Sequence, residues 1–337
     1  MKYRILLFGL LFLYQTTSAT PPPEELGKVN WLRDFEQGLE RAGREDKLVF
    51  LLFQEVPGCS TCRNYGKEVL SHPLIVEAIE TLFVPVAIYN NKGGQDAAVL
   101  KYYKEPAWNN PVVRIVGFDR FDAAPRVSGN YSPLGVVQAM LFALERKGSP
   151  IPSYLTLLNE ELQAQQQGAE TTTLSMYCFW TGEKQLGQLD GVISTQAGFM
   201  DGREVVQVTY NPDVIPFEKI VASGRQVSCA DRVYAHNDSQ QQSAAKLLGK
   251  DKTARAATFR PDREPKYYLS KTHYRAVPMT ALQAARANAL IGQGKSPEGL
   301  LSPRQVELAQ QAKGLPEQKL ENAIGKDIAE AWPWNKP

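Results

Sequence analysis

The 337-residue chain is poor in the residues that build metal centres: it has four cysteines and three histidines. Cys59 and Cys62 form one close pair. Cys178 and Cys229 lie far apart and His72, His236 and His273 are scattered, so the second closely spaced pair that a zinc site wants is missing and no metal ligand set is assigned. An excess of charge of one sign is also lacking. Thirty-eight Lys and Arg stand against 36 Asp and Glu, a net charge of +2 with the two signs interspersed, which leaves no basic stripe to neutralise phosphates and excludes nucleic acid as a partner. Long apolar runs are absent too. The run from Ile5 to Tyr14 is well short of the ~18 to 20 residues that span a bilayer, and no later stretch reaches that length.

What is there begins with a leader. Lys2 and Arg4 precede the apolar run, and Thr17-Ser18-Ala19 puts small residues at cleavage-determining positions, the pattern of a secretory signal over 1–19. No Cys follows the run to take a lipid. The expectation is a periplasmic or secreted protein starting near Thr20, without a stable membrane span once the leader is removed. An even number of cysteines then meets a compartment that permits disulfides. The remaining 300-odd residues are enough for roughly two domains.

A proline-led linker over 20–30 is followed by an amphipathic helix from Trp31 to Gly43, with Leu32, Phe35, Leu39 and Ala42 on one face. Lys47 to Phe53 reads as a strand buried on both faces. Helices over Arg63–Leu70 and Pro73–Thr81 lead to a parallel strand, Phe83–Tyr89. A strand opening on Pro111 and a helix from Pro133 to Arg146 complete a first domain over 31–147. A linker helix occupies 148–170. A second domain over 171–250 has strands Thr171–Tyr177 and Glu204–Tyr210, helices Phe179–Leu189 and Phe217–Ala222, and a return at Gly191–Thr195. Residues 251–266 are polar without clear periodicity, and the rest of 251–337 is a helical extension that either packs on the second domain, the simpler reading, or reaches a partner.

The Cys59-Ser60-Thr61-Cys62 pair sits between an apolar strand and a helix. A helix start stabilises a thiolate through its field and free N–H groups, and the thiolate is the nucleophile in disulfide exchange. Cys59 is the candidate attacking thiol and Cys62, one turn in, the candidate resolving thiol; a static disulfide is the alternative. Strand, C-x-x-C, helix and a downstream proline-headed strand together resemble a thioredoxin-like domain, and Val56-Pro57-Gly58 before the pair is similar to bacterial members with a redox Cys or selenocysteine there. The resemblance implies a cis proline at Pro111 that shapes the substrate groove.

Between Thr173 and Gly249 the chain resembles a shortened peptide methionine sulfoxide reductase of the A class. The residues that carry this are Cys178-Phe179-Trp180 with Glu183, Leu189-Asp190-Gly191-Val192, Gly198-Phe199, Glu204-Val205-Val206 through Asn211-Pro212, and Asn237-Asp238 with Ser239, Gln240 and Ser243. It departs at Tyr177, Phe199, Gln241 and Gln242, where the family carries a glycine, a tyrosine and a Tyr-Arg pair. The resemblance implies Cys178 as nucleophile, Glu204 as a buried acid of raised pKa, Cys229 as resolving thiol, and Phe179, Trp180, Phe199 and Asp238 around the substrate. A static Cys178–Cys229 disulfide remains the other reading of those cysteines.

The fold expected is therefore α/β followed by α+β: a thioredoxin-like domain, a reductase-like domain and a helical tail. The function expected is thiol redox chemistry on an oxidised protein or peptide, with Cys59 and Cys62 recycling Cys178, an upstream thiol reductant recycling them, and no cofactor. Disulfide exchange with an inactive second domain, and a non-enzymatic binding module, are the alternatives.

Overall fold

The computed structural model describes residues 23–226 and 230–334. The expected leader over 1–19 and Cys229 lie outside the described residues.

Among the described residues the strands form two sheets, one of four strands and one of six. The first grows around β1 (Leu48–Gln54), whose seven residues are all buried. Alternate side chains of a strand face opposite ways, so so apolar a strand needs cover on both faces. Phe50 and Leu52 enter one core with Leu74, Ile79, Val136 and Met140, while Val49, Leu51 and Phe53 enter another with Phe35, Leu39 and Tyr103. Helices α1 (Phe35–Glu45), α2 (Ser60–Glu68) and α3 (Pro73–Leu82) lead to β2 (Phe83–Tyr89), which pairs parallel to β1 from Leu48↔Phe83 to Gln54↔Tyr89. A helix the sequence did not announce, α4 (Gln95–Tyr103), precedes β3 (Val112–Val116), which runs antiparallel to β1. The short β4 (Val127–Ser128) and α5 (Pro133–Lys147) close the unit. Ser132 caps α5 by accepting from the Gly135 N–H, and Gly148 ends it at φ 71°.

The helix expected as a linker, α6 (Ser153–Gln167), is part of that first core: Tyr154, Leu155 and Leu158 are buried in it. It leads into β5 (Glu170–Ser175), followed by α7 (Phe179–Leu186). The expected return at 191–195 is the start of a full strand, β6 (Val192–Met200), which pairs with β7 (Arg203–Tyr210). Asp201 and Gly202 turn this hairpin with φ of 49° and 73°, the left-handed pair that matches strand twist. After α8 (Phe217–Gln226), β8 (Val233–Ala235) and α9 (Asp238–Leu248), the sheet continues past residue 250. The polar stretch supplies both edge strands, β9 (Thr253–Arg255) beside β8 and β10 (Arg260–Pro261) beside β6.

The extension contains α10 (Tyr267–Ser270), α11 (Ala281–Ile291), α12 (Pro303–Lys313) and α13 (Ile328–Ala331). It packs on both halves rather than on the second alone. Helix α11 lies on α7 and β6, whereas Ile328 and Trp332 join the first core. At the start of α12 the Ser302 hydroxyl (2.6 Å) and the Arg304 N–H (2.5 Å) donate to the buried Glu77 carboxylate of α3. Among the described residues no helix is long and apolar enough to cross a membrane.

Candidate functional site

The first cysteine site is set by the end of β1. Gln54 is fully buried, and its amide nitrogen donates to the Glu25 carbonyl (2.6 Å) and the Cys62 carbonyl (3.1 Å), tying the strand end to α2. The chain then turns through Glu55-Val56-Pro57-Gly58, and the Gly58 N–H donates to the buried Glu25 carboxylate at 2.7 Å. A Cβ on Gly58 would stand 2.7 Å from the Cys62 Cβ, so this approach needs glycine. Cys59 is the N-cap of α2 and exposed; Cys62 is fully buried, with the two sulfurs 3.6 Å apart as a dithiol. A hydrogen bond from the Cys62 backbone N–H holds Cys59 below the usual thiol range, while burial pushes Cys62 up to about 11. The pair is thus split into an exposed thiol that ionises readily and a buried one that does not.

Pro111 follows a cis Asn110-Pro111 bond and is buried at the head of β3, and the Cys62 thiol donates to the Asn110 side-chain oxygen. Sequence reasoning missed the supporting carboxylates. Glu25 lies 33 residues from Gly58, and Glu55 carried no motif. Glu55, Cys59 and Cys62 bring three donor atoms within 4.8 Å of one another, a cation-sized group that the cysteine spacing did not reveal but one short of the four ligands of a closed zinc site.

The second site lies where β5 meets α7. Cys178 is the half-buried N-cap of α7, and Thr181 donates its hydroxyl to the sulfur at 3.5 Å. Glu204, on β7, accepts the Phe179 N–H at 3.1 Å, and its own carbonyl accepts the Met176 N–H at 2.9 Å. The carboxylate is therefore fixed one residue from the thiol. It is half-buried, not enclosed as the resemblance implied, because it lies at the start of β7, just after the Asp201-Gly202 turn. Phe179 meets Phe199 edge-on, with ring centroids 5.3 Å apart, and Trp180 at 5.5 Å.

Residues beyond 250 complete this site. Tyr267 stacks on Trp180 at 3.8 Å and 13°, and the Trp180 indole N–H donates to Asp262 at 3.0 Å. Lys266 forms a 2.8 Å ion pair with Glu183, which is fully buried. Asp238 does not join the cluster: it opens α9, is exposed and pairs with Arg255 of β9, at the opposite side of the sheet from β6 and Phe199. The carboxylate that does reach the end of β5 is Asp231, which accepts the Ser175 hydroxyl and pairs with Arg203 at 3.3 Å. Gln241 and Gln242 lie with Asp238 on α9. Tyr177, beside Cys178, is 89% exposed. Among the described residues, no hydrogen bond, ion pair or ring contact joins the Cys59/Cys62 site to the Cys178 site.

A strand, a cysteine-capped helix and a cis-proline strand facing the dithiol define a thioredoxin-like class, and residues 30–117 match the family model described as thioredoxin-like. The chain is also similar to peptide methionine sulfoxide reductases. It is 33% identical over 69 residues to the enzyme MsrA of Methanococcus maripaludis strain C5, covering 15% of this chain and 44% of that protein. It is 30% identical over 99 residues to the mouse mitochondrial enzyme, covering 23% and 42%, and 26% identical over 131 residues to MsrA of Vibrio cholerae strain O395, covering 34% and 58%. The chain spans about half the length of the curated relatives it matches. A thioredoxin-like domain is thus joined in one chain to a reductase-like one, a combination that supports a redox function.

Proposed function

We propose that the chain is an exported oxidoreductase that reduces methionine sulfoxide, or a related oxidised sulfur, in proteins or peptides. The observation that carries this reading is the Glu204 carboxylate held on the N–H of Phe179, the residue next to Cys178, with Phe199 in register beside Glu204 and the Phe179 ring in contact with those of Trp180 and Phe199. In the proposed cycle the Cys178 thiolate attacks the sulfoxide sulfur while Glu204 protonates the oxygen. The hydroxyl then passes from the substrate sulfur to the Cys178 sulfur as the sulfur–sulfur bond of the adduct breaks, so methionine leaves two electrons more reduced and Cys178 is oxidised to the sulfenic acid. Cys229 displaces water to form a disulfide with Cys178. The Cys59 thiolate then attacks that disulfide and Cys62 releases the mixed disulfide, leaving Cys59–Cys62 oxidised for an external thiol to reduce. The tether would raise the effective concentration of the dithiol for its own chain.

The 3.6 Å dithiol, with its exposed thiol of lowered pKa, favours a second, narrower reading: disulfide exchange by the first domain, with the second serving to bind. Turnover assays with methionine sulfoxide and insulin separate the two. Under the first reading Cys178→Ser loses sulfoxide reduction and keeps insulin reduction, and Cys59→Ser loses insulin reduction and slows sulfoxide turnover driven through the dithiol. Sulfoxide turnover that depends on Cys178 but proceeds equally fast without Cys59 would break the link between the domains.

A further inference from the structure

Three strands carry one row of side chains to the Cys178 site. Arg260 of β10 is in register with Phe199 of β6, and Phe199 with Glu204 of β7. Registered neighbours share a sheet face and adjacent strands lie about 4.8 Å apart, so the row spans about 10 Å from Arg260 to Glu204. The guanidinium lies over the Phe199 ring, its Cζ 4.2 Å from the centroid. Phe199 in turn contacts Phe179, whose N–H holds Glu204. Three other cations of this domain are paired, Arg203 with Asp231, Arg255 with Asp238 and Lys266 with Glu183. Arg260 is exposed, and among the described residues its guanidinium meets only the ring. Asp262, two residues along, is engaged by the Trp180 indole and the Arg263 N–H.

A sulfoxide is neutral, so a cation placed here has no charge to balance in the reacting group itself. We infer that Arg260 is a specificity-determining residue that binds a carboxylate carried by the substrate close to its sulfoxide, an inference that rests on the reading of Cys178 as a sulfoxide site. A guanidinium forks onto a carboxylate through two parallel N–H donors, and resting on Phe199 it has less side-chain freedom to lose on pairing. The carboxylate comes either from the methionine sulfoxide residue itself, free or C-terminal, or from an acidic neighbour in a peptide.

Calorimetry on the full chain bearing Cys178→Ser, which blocks turnover, tests this with three probes: N-acetyl-methionine sulfoxide, its neutral N-methylamide, and the same amide preceded by glutamate. At least one carboxylate probe should bind about tenfold tighter than the neutral amide. Preference for the first identifies the residue's own carboxylate, and preference for the third an acidic neighbour. Arg260→Gln should erase the difference and leave affinity for the neutral amide unchanged, with Arg260→Lys keeping part of it. Equal binding of all three probes, or an equal loss for the neutral amide in Arg260→Gln, overturns the inference. Turnover of dimethyl sulfoxide by the chain with Cys178 intact separates the two failures. Activity there without carboxylate preference sinks only the role of Arg260, whereas no reduction of any sulfoxide sinks the Cys178 reading beneath it.

Discussion

Replacing Lys266 by methionine tests whether the segment beyond residue 250 is structurally part of the Cys178 domain. Glu183 is fully buried on α7; one carboxylate oxygen takes the Lys266 ammonium at 2.8 Å and the other has no hydrogen-bond partner. Lys266 also donates to the Thr195 carbonyl of β6, so one side chain ties the segment to both helix and sheet. Lys266→Met leaves a buried carboxylate without its counter-charge, which costs about 3 to 5 kcal/mol. The double variant Glu183→Leu/Lys266→Met removes both charges and should recover most of that loss, since apolar replacement of a whole buried pair is often neutral. Urea unfolding followed by far-ultraviolet circular dichroism gives the stabilities. Tryptophan fluorescence reports in addition on Trp180, whose stacking partner Tyr267 adjoins Lys266. A cost below about 1 kcal/mol for Lys266→Met, or a double variant as unstable as the sum of the singles, would refute the argument, because coupled neighbours do not add.

Two further outcomes follow from the thiols and from a buried histidine. Alkylation of the reduced chain at increasing pH, read by peptide mass spectrometry, should label Cys59 with a midpoint below the ordinary thiol value and leave Cys62 unlabelled until near pH 11. Cys62→Ser should keep most of the Cys59 shift, since the leading contribution is the Cys62 backbone N–H; labelling of Cys62 first contradicts the assignment. His72, whose Nδ1 is buried without a partner, has its pKa lowered by burial from 6.5 to about 4. Between those values the unfolded chain takes a proton that the folded chain refuses, so stability is lost as pH falls from about 6.5 to 4, by roughly 3 kcal/mol from this group. His72→Gln should show a correspondingly shallower acid dependence of its urea midpoint, and identical dependences would exclude the effect.

Features written in short-range chemistry were legible in the sequence. The six-residue apolar run Leu48–Phe53 of β1 fits burial between layers, the cysteine pair after it opens a helix, and Pro133 begins α5. What escaped depends on partners distant in the chain. Strands β9 and β10 are two or three residues long and polar, and they are strands only because β8 and β6 offer open edges. Helix α4 has no side-chain N-cap and buries only part of its length. Asn237-Asp238 resembled a catalytic segment, yet Asn237 caps α9 by accepting the Gln240 N–H, and Asp238 is the first-turn acid of that helix. Tyr267, Asp262 and Lys266 were invisible as site residues because stacking on Trp180 and neutralising Glu183 leave no local periodicity.

The central claim, that Cys178 is the thiol oxidised by a sulfoxide and that Cys59 and Cys62 return it to use, is met most directly by mapping cysteine states by mass spectrometry. The fully reduced chain is mixed with one equivalent of methionine sulfoxide and quenched over time with acid and an alkylating agent. Methionine should form in step with loss of the Cys178 thiol, trapped as sulfenic acid in Cys229→Ser or as a Cys178–Cys229 disulfide otherwise, followed by transfer to a Cys59–Cys62 disulfide. Cys178 remaining a free thiol throughout would contradict it.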